Sequence, residues 1–78
     1  MNNQNPTEKL SEIDRDMETI RKRLRELDRV VHNPKASPKL VYAAERNTLI
    51  YMSMLEDLWI QKKYVLEEIG HTEKNLQK

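Results

Sequence analysis

The chain has 78 residues, 35% of them charged, with a net charge of +1, no cysteine, no phenylalanine and a single glycine. That composition excludes a disulfide framework, a thiolate zinc site and a glycine-rich phosphate loop. Below about 80 residues one core supplies only ~3–5 kcal/mol, so association is the staple left to such a chain.

The N-terminus, Met1-Asn2-Asn3-Gln4-Asn5, lacks the basic start and apolar run of a secretory signal, which leads to the expectation of a cytoplasmic protein with a disordered tail over residues 1–5. A helix start follows. Asn5 can cap it, Pro6 suits its first position, and Glu8 stands where a capping box would close. From there Leu10, Ile13, Met17, Ile20, Leu24, Leu27 and Val31 alternate spacings of three and four without a break. This is a heptad seam on an otherwise polar helix, expected over residues 6–32.

His32-Asn33-Pro34-Lys35-Ala36-Ser37-Pro38 carries two prolines and breaks the pattern, giving a loop at 33–37. Ser37-Pro38 repeats the arrangement of cap and first-turn proline, so a second helix starts at Pro38. It is expected to end at Ile69, with Gly70 as a left-handed cap and residues 71–78 as a polar tail. The helices, about 40 and 48 Å long, are joined by a loop short enough to favour antiparallel packing. The fold class is all-α, an antiparallel hairpin.

One face of the second helix, made of Val41, Ala44, Thr48, Tyr51, Leu55, Leu58, Lys62, Val65 and Ile69, keeps the three-four spacing and can meet the first seam, with Lys62 the one misfit. The run "LIYMSML" at 49–55 puts further apolar residues elsewhere. Tyr42, Leu49, Ile50, Met54, Ile60 and Tyr64 point away from that face, and Trp59 lies at its edge, where it reads first as core and second as a binding hot spot. A lone hairpin cannot bury both sides of this helix. These seven residues are therefore the expected self-association or partner-binding surface, by which two hairpins form a homodimeric four-helix bundle or a different protein docks.

The charges fall in blocks: residues 1–20 carry a net −3, residues 21–46 a net +5 and the remainder −1. Acids at the start and bases at the end of the first helix complement its dipole. Stacking opposite blocks also favours an antiparallel homodimer over a parallel one. Arg21, Lys22, Arg25 and Arg29 lie off the seam and are the expected electrostatic contact, with an acidic protein surface or with nucleic acid. Glu26 and Asp28 dilute the second option, and no aromatic side chain is interleaved for base stacking.

No residue pattern calls for a cofactor, a metal or a small-molecule substrate. His32 and His71 sit near the expected helix ends, where histidines meet terminal carbonyls, and the carboxylate pairs fit a solvated face. An enzyme is not expected. "AAERNTLIYM", residues 43–52, resembles the Glu-Arg-x-x-Leu-x-aromatic core of a family of small bacterial membrane proteins, but Glu56 and Asp57 interrupt any spanning segment. In architecture alone the hairpin is similar to plasmid copy-number regulators of the Rop type, which dimerise into four-helix bundles and bind paired RNA loops. That resemblance implies nucleic-acid contact on the outer face of the first helix. The first expectation remains a small regulatory protein, an adaptor, inhibitor or assembly chaperone, that binds another protein.

Overall fold

The computed structural model describes residues 5–76, and the side chains of residues 5–70. Two helices, α1 (Pro6–Val31) and α2 (Pro38–Leu76), make up the fold, and no strand occurs among the described residues. The Asn5 side chain accepts a hydrogen bond from the Glu8 backbone N–H at 2.8 Å, with Pro6 at the first helical position. Only Asn5's half of the capping box is made. At the other end of α1, His32 caps: its backbone N–H donates to the Asp28 carbonyl, and its ring Nδ1 lies 2.9 Å from the same oxygen.

The loop is held by its own side chains. Asn33 Oδ1 accepts from the Lys35 N–H at 2.9 Å, an Asx turn, and the Ala36 N–H donates to the Asn33 carbonyl. Ser37 then caps α2, its hydroxyl oxygen accepting from the Leu40 N–H at 3.2 Å. Asn33 and Ser37, which interrupt the heptads, thus each accept from a backbone N–H that has no intrahelical partner.

Ile13, Met17 and Val65 form the centre of the core, with Leu10, Leu55, Leu58 and Ile69 packed against them. The start of α1 lies beside the end of α2, so the pair is antiparallel. Every one of the nine residues assigned to the inner face of α2 is buried or half-buried, and so are all seven seam residues of α1. Thr48 is accommodated there because its hydroxyl donates to the Ala44 carbonyl at 2.8 Å. Among the described residues neither helix is long and apolar enough to cross a bilayer.

One boundary departs from the sequence reading. Instead of stopping at Ile69, α2 continues to Leu76, and Gly70 has no left-handed backbone. The reason is local: residues 71–76 contain no proline, so nothing removes a backbone donor, and one glycine costs a helix only ~1 kcal/mol. Residues 1–4, the bulk of the expected N-terminal tail, and residues 77–78 lie outside the described residues.

A Cβ built on Gly70 meets nothing within 4 Å. Gly70→Ala is therefore expected to stabilise the protein by about 0.5–1 kcal/mol, read as a Tm increase of about 2–8 °C by circular dichroism at fixed protein concentration. A fall in Tm would restore the left-handed cap.

Candidate interaction surface

The hairpin is a single layer, 61 × 24 × 14 Å, with a radius of gyration of 17.8 Å. A compact domain of this length would have one of about 11–12 Å. Its solvent-accessible surface is 6719 Å², whereas a compact monomer of 9.4 kDa exposes about 5,000 Å². The excess has a specific composition. Leu40, Tyr42, Leu49, Ile50, Met52, Met54, Trp59, Ile60, Tyr64 and Leu66 are all exposed, and all belong to α2.

These side chains do not form one patch. Met52 and Met54, two positions apart and so about 200° apart round the helix, line grooves on opposite flat faces of the layer. On the first face an apolar groove of about 560 Å³ runs between Leu24 and Val31 of α1 and Leu49, Met52 and Leu55 of α2, with Asp28 and Glu45 on its rim. On the second face, Met54 stands beside Asp16 and Thr19, and Tyr64 beside Lys9 and Glu12. A third groove, of about 450 Å³, is lined by α2 alone, by Glu56, Trp59, Ile60, Lys63, Leu66 and Glu67.

Trp59 is 57% exposed, which corrects its reading as core. The inner places at its level go to Leu55, Leu58 and Lys62, which keep the heptad spacing, and leave the indole at the edge. There it serves the residue that interrupts the seam: Lys62 Nζ lies 5.5 Å from the ring centroid and 2.8 Å from Asp14 Oδ1 of α1. A carboxylate on one side and an aromatic face on the other satisfy an ammonium whose stem is half-buried. This explains how Lys62 holds a core position. The lysine bridges the helices.

Of the four basic residues singled out on α1, Arg25 is engaged by Glu18 at 3.3 Å, while Arg21, Lys22 and Arg29 have no ion-pair partner among the described residues. Arg23, which neighbours them, pairs with Glu26 at 3.5 Å. The dilution expected from interspersed acids is thus only partial. His32 is engaged with Asp28, its Nδ1 also 3.2 Å from the carboxylate, and the side chain of His71 lies outside those described. Among the described residues no group of His, Asp or Glu is gathered closely enough to hold a metal ion.

Leu40, Met52 and Leu66 were not among the residues singled out from sequence. A signal for two of them was present: Met52 and Leu66 stand seven residues before and after Trp59, so the three share one line along the helix. No family model, curated protein or solved structure matches the chain.

The Asp14–Lys62 pair is half-exposed, with side-chain accessibilities of 51% and 25%. Asp14→Asn should therefore cost only about 0.5–1 kcal/mol in urea denaturation. Repeating the titration in about 1 M NaCl should shrink that difference, since the Debye length falls to about 3 Å.

Proposed function

We propose that this hairpin is a non-enzymatic, self-associating binding protein, which pairs with a second copy of itself through α2 and acts by holding another protein, as an adaptor, inhibitor or assembly chaperone does. The observation that carries this reading is the confinement of the exposed apolar side chains to α2. Scattered surface hydrophobics are normal, but ten on one helix over two flat faces exceed what a small monomer presents to water. The apolar groove with Asp28 and Glu45 on its rim suits an amphipathic helix whose apolar residues enter it and whose basic residues meet the rim.

Magnitudes support self-association. Removing the remaining exposure of six such side chains per chain, about half of each, yields roughly 5–9 kcal/mol for each partner. Two partners together exceed the middle of the 4–15 kcal/mol range estimated for the cost of association. The unpaired Arg21, Lys22 and Arg29 favour a second reading, in which α1 binds paired RNA from its outer face, as the Rop-type architecture would imply.

Sedimentation equilibrium from about 1 to 100 µM tests the first reading, with a dimer as the expected species. A monomer throughout would overturn it. The second reading is separated by gel retention of double-stranded RNA: no retention is expected at 50 mM salt. If retention appears, falls steeply by 200 mM and is lost in Arg21→Glu/Lys22→Glu, the protein is a nucleic-acid binder.

A further inference from the structure

The self-association proposed above leaves open which of the exposed faces meets its copy and in which direction. We infer that the contact is an antiparallel pairing of α2 with the partner's α2 along the line Met52, Trp59 and Leu66, with the twofold axis passing beside Trp59. The argument is one of self-complementarity. In a twofold dimer the same patch serves both subunits, so a residue before the axis on one chain faces the residue equally far beyond it on the other. Met52 and Leu66 stand seven residues either side of Trp59, so each meets the partner's copy of the other, and the two indoles lie side by side at the centre.

The charges make the same choice. Glu56 and Lys63 line the third groove with Trp59 and Leu66, and within the hairpin neither makes an ion pair. They stand three and four residues either side of Trp59. An antiparallel pair sets each Glu56 opposite the partner's Lys63, forming two ion pairs, whereas a parallel pair sets Glu56 against Glu56 and Lys63 against Lys63. Continuity supports this line over the others. Leu49 and Met52 carry it into the apolar groove shared with Leu24 and Val31, so the partner's Leu66 is seated at the mouth of a preformed trough. The opposite face has no such line: Asp57 and Gln61 separate Met54 from Tyr64.

Sedimentation equilibrium of the full chain decides it, using wild type, Glu56→Lys, Lys63→Glu, the double swap Glu56→Lys/Lys63→Glu, Trp59→Ala, and Gln61→Lys on the opposite face of α2. Each single charge reversal replaces two attractive pairs by two repulsive ones and should weaken the dimer about tenfold. The double swap should restore it to within about twofold. Trp59→Ala, which removes the central contact from both subunits, should weaken it a hundredfold or more. Gln61→Lys should leave it unchanged. All of the substituted residues are exposed in the hairpin, so helix content by circular dichroism should persist at concentrations where the variants are dimeric. A wild-type dimer indifferent to the charge reversals, or a double swap as weak as the singles, would overturn this pairing while leaving self-association intact. A monomeric wild type would overturn both.

Discussion

Two helices side by side can bury only the stripe along which they touch, and the rest of this structure follows from that limit. Each helix carries one heptad seam, and among the described residues the seams account for every buried side chain: Ile13, Met17 and Ile20 on α1, Ala44 and Val65 on α2. None of these is fully enclosed, because a layer one helix thick has no second layer to close over it. The core is consequently a line rather than a volume. With backbone ordering costing roughly 1–2 kcal/mol per residue, a line of five buried residues leaves little margin for a stable single hairpin.

The two helices stand in different relations to that limit. α1 is polar outside its seam apart from the half-buried Val30, and all its large apolar side chains are buried or half-buried in the hairpin as it stands. α2 has apolar residues on both flat faces and on its outer side, and the hairpin leaves them in water. In the assembly proposed above, α2 is the central element and α1 its charged cover. The asymmetry also explains why the three grooves are all lined in part by α2 and why their apolar character is greatest on the side that holds Met52 and Trp59.

Polar groups are placed where the seam would otherwise fail. Thr48 returns its hydroxyl to the helix backbone, and Lys62 crosses to Asp14 under the shelter of the Trp59 ring. A lysine in a coiled-coil seam lowers stability but restricts register, because only one alignment brings it to its carboxylate. Here Asp14 and Lys62 align the first half of α1 with the second half of α2, the same alignment that packs Leu10 and Ile69 against Ile13, Met17 and Val65. The ion pair and the apolar cluster specify one register between them.

Sequence alone determined the hairpin: the caps at Asn5 and Ser37, the prolines, and the three-four spacing locate both helix starts, the loop and all sixteen seam residues. These depend on local chemistry and on helical periodicity, both of which a linear sequence carries in full. It also identified α2 as apolar on more than one side. The end of α2 was misplaced because glycine permits a left-handed cap without compelling one, and only the backbone's actual path decides between them. Trp59 was misread because the heptad pattern gives its angle round the helix but not how closely α1 approaches at that level. The division of the apolar surface into separate grooves, and the union of Lys62, Asp14 and Trp59 at one point, were likewise decided only by the tertiary structure, since each depends on which part of α1 lies beside which turn of α2.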